Sequence, residues 1–433
     1  MQVIRSFVRE VVQAYNQKDK DAIRDLISTE ESNERSAQLT EALYDMSEES
    51  IRSTVAAECD NMDAPRALKD LITNYLNFTI AASLEDSVST AIYERLSTCY
   101  GSFLGLYQAF DAQWLTPLCM DLSFSLIFWA NWADTEQPNA KELKVSDAVA
   151  KHLSRAFNIV ISDKTSNDLK DSKKMALYYL ANLTFRVYFK IQSTRLLPTM
   201  IANIGKAGVK LEQYYMSQQV THRYYLGRYA LYQLDLRSAI RQLAFAFRNC
   251  PPLDSSDPDS QANKITYKNS RLILIYLIAA RICLGVFPSD RLLRHYGLDI
   301  YFSTLIRAVK LGDLGLLDQH LDDPKVMVWF VKREIYFLMK EKLRVLCWRS
   351  LVRRVWLLNG RDARVRLGQL VGVVQLLTRD PSFDIWDVEC ITASLLDQGY
   401  IKGYIHSETK ILVVGKTNPF PAISSVEVVV DRV

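Results

Sequence analysis

Apolar residues recur at three- and four-residue spacing along nearly the whole chain, the pattern of helices that each bury one face. The two-residue alternation of half-buried strands is almost absent until the carboxyl-terminal end. Only 15 Gly and 12 Pro interrupt 433 residues, which predicts long helices joined by short turns. The clearest breaks are polar, at 134–146, 162–172 and 251–269, and the last has the Ser/Asp/Pro composition of an exposed loop. Residues 272–287 predict a helix buried nearly all round, with Arg281 arguing against a lipid surrounding. Residues 301–321 predict two helices turning at Gly312-Asp313, and helices continue over 325–359 and 364–378.

One segment carries repeat spacing. Leu226-Gly227 is followed by Ala239, Ala246 and Pro251, at intervals of twelve, seven and five residues, which match the tetratricopeptide pattern. Small residues at 227, 239 and 246 let two antiparallel helices approach, although Ala230, beside Tyr229, stands where that motif usually has an aromatic. A single helical pair cannot bury its own outer face, so neighbours must stack on it. After Pro381 the pattern changes. Asp384 can cap a helix whose Val388, Ile391, Leu395 and Leu396 share a face, and Gly399 stops it. Two β-rich runs follow, 400–405 and 410–414, split by His406-Ser407-Glu408-Thr409 as a hairpin turn. The expected fold is all-α: a right-handed α-solenoid of TPR-like repeats ending in a winged helix with a small β-hairpin. The expected divisions are amino-terminal repeats over 1–170, TPR-like repeats over 171–323, the winged-helix end over 324–425 and a tail over 426–433.

Composition narrows the function. The longest uncharged stretch, 96–110, is 15 residues, and a membrane span needs about 20, so no membrane insertion is expected. Arg5, Arg9 and Glu10 sit where a signal peptide would need an apolar core, which points to the cytosol or nucleus. The seven cysteines form no C-x-x-C pair, and the five histidines are widely separated. Zincin, P-loop and nucleophile-elbow motifs are all missing. The expectation is a non-enzyme without metal or cofactor.

Charge is segregated. Residues 332–366 hold eleven Lys/Arg against three acids, and residues 19–63 hold thirteen acids against four bases. On the helix over 348–358, Trp348, Leu351, Val352 and Val355 form an apolar face, while Arg349 and Arg353 lie a turn apart elsewhere, with Arg354 adjacent. Guanidinium groups held outward in this way can neutralise phosphates without reading sequence. The candidate nucleic-acid residues are Lys332, Arg333, Lys340, Lys342, Arg344, Arg349, Arg353, Arg354, Arg361, Arg364 and Arg366, joined by Lys402, His406 and Lys410 from the wing. They are expected to form one coherent outer surface; the competing reading is a solvated face or a dock for acidic protein. The helix after Asp384 carries Asp384, Asp387, Glu389 and Asp397 and no base, so phosphate would repel it. It and the hairpin are assigned to protein contact, through Trp386, Glu389, Tyr400 and Tyr404. Tyr178, Tyr179, Phe185, Tyr188 and Phe189 sit at helical spacing and read as core rather than as a base-stacking platform.

Helical repeats leading into a winged helix resemble the PCI module. Residues 171–191, 224–251, 271–285 and 401–421, the last with Lys416 and Pro419-Phe420-Pro421, resemble the PCI domain-containing protein 2 family. Its fungal members are also labelled COP-nine signalosome subunit twelve-like. The likeness runs from about residue 70 to 425, and the loop at 254–263 is longer than in the wider family. The resemblance implies a subunit of the TREX-type transcription-and-export complex, in the nucleus on the nucleoplasmic side of the pore. It implies a larger PCI scaffold of GANP type as partner, a small acidic DSS-type peptide, and RNA or DNA bound without strong sequence preference. It equally admits a sister complex in transcription and splicing, or a signalosome-like assembly that binds no nucleic acid.

Overall fold

The computed structural model describes the chain except for residues 30–33, 45, 84–87, 137–143, 167, 253–256, 258–259 and 427–433. Parts of the polar breaks at 134–146 and 251–269, of the long loop at 254–263 and most of the 426–433 tail therefore lie outside the described residues. Twenty α-helices, six short 3-10 helices and one three-stranded sheet make up the regular structure among those described. They form two compact units, Met1–Tyr225 and Leu226–Val433.

The first unit is helical throughout. Its core is rich in aromatic residues: Tyr100, Phe103 and Tyr107 of the Ser89–Tyr107 helix are fully buried. The Tyr100 hydroxyl lies 2.7 Å from Ser123 Oγ, so burying these rings leaves no orphan polar group. On the Leu177–Lys190 helix, Tyr178, Phe185, Tyr188 and Phe189 are buried, as core should be. No helix among the described residues is long and apolar enough to cross a membrane.

The second unit begins inside the Met216–Tyr232 helix and carries the repeat seen in sequence. Gly227 lies against Leu243 of the Leu236–Arg248 helix so closely that an added Cβ would sit 2.5 Å from Leu243 Cγ. Ala239 and Ala246 are fully buried. The small residues therefore set how near the helices come. The next helix, Gln261–Cys283, starts earlier than expected and absorbs residues 261–269 that composition had assigned to a loop. Asp299–Leu311 and Leu314–Leu321 turn at Gly312 (φ 71°), and Asp313 caps the second helix by accepting the Leu316 amide at 2.9 Å.

The winged-helix end packs on this frame. It comprises the helices Tyr336–Leu358, Leu367–Thr378 and Ile385–Asp397 and a sheet of β1 (Arg364–Arg366), β2 (Gly403–His406) and β3 (Ile411–Val414). The sheet order is β1-β3-β2, antiparallel throughout. Sequence had carried β1 as the start of a helix; its three residues pair instead with β3, Arg364 opposite Val413 and Arg366 opposite Ile411. Asp384 caps the last helix through the Trp386 and Asp387 amides, and Gly399 (φ 78°) follows its end.

Candidate nucleic-acid and partner interface

The positive segment does not form one stripe. At about 100° per residue, Lys340 and Arg344 share one side of the Tyr336–Leu358 helix, while Lys342, Arg349 and Arg353 fall on roughly the opposite side. A helix of 23 residues packed by neighbours on several sides cannot present both sets together. Lys340 pairs with Asp322 at 3.2 Å and Arg344 with Asp318 at 3.8 Å. Arg333 lies over the Trp329 ring at 3.9 Å and donates to the Trp329 carbonyl at 2.8 Å. Arg354 donates to the Leu311 carbonyl at 3.0 Å.

Arg349 overturns its assignment most clearly. Its side chain is buried, and its Nη2 donates to the carbonyls of Phe420 at 3.2 Å and Pro421 at 2.6 Å. Burial first, and repulsion from Arg353 second, lower its pKa below the usual arginine value. The guanidinium holds the Pro419-Phe420-Pro421 segment onto the helix, with Trp356 against the Phe420 ring at 5.3 Å. It is a structural clamp. No phosphate can reach it.

The cations that do share a surface lie on the sheet. Strand side chains alternate, so Arg364 and Arg366 of β1, Ile411 and Val413 of β3, and Tyr404 and His406 of β2 occupy one face. Val365, Leu412 and Val414 occupy the other, and all three are buried. The open face thus has an arginine edge and a Tyr/His edge, with two aliphatic residues between. Arg361, in the turn before β1, and Lys402, before β2, are exposed nearby in sequence. Arg361, Arg364 and Arg366, with Lys332 and Arg353 elsewhere, are exposed and make no salt bridge among the described residues. Lys342 is half-buried.

Lys410 faces elsewhere. Its ammonium lies 2.6 Å from Glu389 and 3.5 Å from the centre of the Trp386 ring. Hydrogen bonds from Lys410 first and Ser407 second hold the Glu389 carboxyl below its ordinary range. This contact fastens the hairpin turn to the acidic helix, so neither Lys410 nor Glu389 is a free docking group. Tyr400 is buried and also leaves the partner set. Trp386 and Tyr404 stay exposed, at 63% and 61%.

Sequence reading missed β1, which makes Arg364 and Arg366 neighbours of Tyr404 and His406. The alternation Arg-Val-Arg was the available signal, and three residues are too few to separate a strand from a helix start. No group of three His, Cys, Asp or Glu among the described residues is arranged to hold a metal.

No family profile matches the chain. Individual relatives do. A PCI domain-containing protein of Schizosaccharomyces pombe is 30% identical over 96% of this chain and 94% of its own length. PCI domain-containing protein 2 of Xenopus laevis is 32% identical over 98% of each. A protein of Mycosarcoma maydis named Protein CSN12 homolog is 28% identical over 83% of this chain and 86% of its own. With this identity sustained over nearly full length, and with helical repeats running into a winged helix, the chain belongs to the PCI domain-containing protein 2 family and is a PCI scaffold subunit.

Proposed function

We propose that this chain is the non-catalytic PCI subunit of a nuclear transcription-and-export complex, offering nucleic acid a basic sheet face and a larger PCI scaffold an acidic helix. The open face of the sheet carries the reading: Arg364 and Arg366 stand exposed and without carboxylate partners beside Tyr404 and His406. Such a face suits backbone phosphates with a stacked base, and it lacks the Asn/Gln/Arg array on an exposed helix that base-specific reading needs. The Ile385–Asp397 helix presents Asp387, next to the exposed Trp386, and Asp397 at its other end to solvent, chemistry that favours a protein surface over phosphate. A small acidic peptide along the helical repeats completes the expected assembly.

The second reading, a signalosome-like or splicing-linked assembly without nucleic acid, draws on the relative named Protein CSN12 homolog and on the internal pairing of Lys340, Arg344 and Lys410. Affinity purification of the tagged full chain from nuclei, with mass spectrometry of its partners, separates the two. The export reading expects a larger PCI protein in stoichiometric amount, lost on Trp386→Ala. Recovery of signalosome subunits alone would contradict it.

A further inference from the structure

The same unit carries a second basic surface, on the helical repeats rather than on the sheet. Residues 237–294 hold nine Lys/Arg against four acids, a net excess smaller than that of the arginine segment but of the same sign. On the Gln261–Cys283 helix, Lys264, Tyr267, Lys268 and Arg271 stand at i, i+3, i+4 and i+7, which is one helical face. On the Asp290–His295 helix, Arg291, Arg294 and His295 likewise share a face.

These two faces meet. The Tyr267 hydroxyl donates to the His295 carbonyl at 3.2 Å, and Arg271 Nε donates to the Tyr296 carbonyl at 2.8 Å. Tyr267 stacks on Tyr296 with ring centres 5.3 Å apart, and His295 stands edge-on to Tyr296 at 4.8 Å. A third helix arrives at the same point, with Phe247 6.3 Å from Tyr296 and Arg248 next to it in sequence. Among the described residues, Arg248, Lys264, Lys268 and Arg291 are exposed with no salt bridge or side-chain hydrogen bond, and Arg294 is bonded there to the Asp290 carbonyl alone, at 3.4 Å. His295 is exposed and Tyr267 half-buried, and each shares a helical face with two of these cations. The described acids of the segment, Asp257 and Asp290, are exposed, and neither forms a salt bridge with these cations.

We infer that this cluster is a binding site for single-stranded nucleic acid, separate from the sheet face and able to work without it. A purely solvated face would not need five exposed cations without carboxylate partners among the described residues, carried on three helices whose aromatic residues Phe247, Tyr267, His295 and Tyr296 touch. Phosphates would lie on the Lys264–Lys268 and Arg291–Arg294 edges, while an unstacked base, which a duplex cannot offer, would meet His295 and Tyr267. A strand held on the repeats as well as on the sheet would be bound with an avidity that neither site gives alone.

The test uses the full chain, a fluorescein-labelled 20-nucleotide oligouridylate and a labelled duplex of equal length, with anisotropy read over a range of salt. Lys264→Glu, Lys268→Glu and Arg294→Glu together are expected to weaken single-strand binding at least tenfold. They should flatten the slope of log affinity against log salt by about 2, since each phosphate contact contributes about 0.7 for single strands. His295→Ala should weaken single-strand binding several-fold and leave the salt slope and the duplex affinity unchanged. Arg364→Glu with Arg366→Glu reports the sheet face separately, so loss at either site is distinguishable from loss at the other. Circular dichroism and thermal melting confirm that each variant is folded. Single-strand affinity within twofold of the parent in the folded triple variant, or displacement of parent-bound oligouridylate by no strand but by poly-glutamate alone, would overturn the assignment.

Discussion

At the scale of single residues, burial decides which charges can act outward. Arg349 reads in sequence as part of a phosphate-binding face, one turn from Arg353, yet its guanidinium is spent on two carbonyls of the tail. Hydrogen bonds to a charged group contribute about 1.5–3 kcal/mol each, and removing the donor leaves buried carbonyls unpaired. Arg349→Met is therefore expected to lower unfolding stability of its unit by about 3 kcal/mol, read by urea denaturation, while Arg353→Met changes it by less than about 0.5 kcal/mol. A charge reversal meant to probe nucleic acid belongs at exposed positions and not at Arg349, where it would strike the fold. His222, in the other unit, gives a pH dependence. It is buried against Phe185 and lies 3.2 Å from Asn182 Oδ1, and burial pushes its pKa down to about 3. The folded state keeps it neutral while the unfolded chain protonates it below its ordinary 6.5, so its contribution is full above 6.5 and is lost as pH falls from there toward 3. Between pH 7 and 5 the loss is about 2 kcal/mol. Melting curves across that range should show it, and His222→Gln should flatten the dependence.

At the scale of elements, most of the fold is legible because it is local. The helix pair closed by Gly227, Ala239 and Ala246, the turn at Gly312-Asp313 and the cap at Asp384 each announce themselves through residue types whose chemistry acts within a few positions. The hairpin after Gly399 is legible for the same reason, through its alternation and its polar turn. What is not legible depends on partners distant in sequence. β1 exists because Val365 buries beneath the sheet and its neighbours pair with Val413 and Ile411, some fifty residues away. Arg349 turns inward because the tail returns to it. Of the candidate residues, Arg361, Arg364, Arg366, Lys402 and His406 come to lie exposed on or beside the sheet, a geometry that was not foreseen. Gly312 shows how tightly one element fixes the next: its φ is 71°, and an added Cβ would lie 2.4 Å from the Leu351 amide on the arginine-bearing helix. Gly312→Ala is expected to cost about 3 kcal/mol, from left-handed strain together with that clash. Gly297→Ala, also left-handed but in open space, should cost about 1 kcal/mol. Equal losses in parallel denaturant titrations would show that the approach to Leu351 is not what fixes the turn.

At the scale of the whole molecule, charge is distributed by segment and not by element. The amino-terminal stretch over 19–63 is strongly acidic, residues 237–294 and 332–366 are basic, and the rest of the chain is close to balanced. Such segregation shapes the approach of partners without specifying the fold. Internal pairing then trims the basic excess of 332–366 to the few cations left unpaired, and Lys410 is withdrawn to the acidic helix. What remains is an exposed arginine-edged sheet face beside an acidic helix, the division on which the proposed function rests. The most direct test of that division is the affinity of the full chain for a labelled 20-nucleotide RNA, measured over 50–300 mM salt with Arg361, Arg364 and Arg366 reversed to Glu. The account predicts a folded variant bound at least tenfold more weakly at low salt, with a salt slope shallower by about 2. An affinity and slope indistinguishable from those of the parent chain would contradict it.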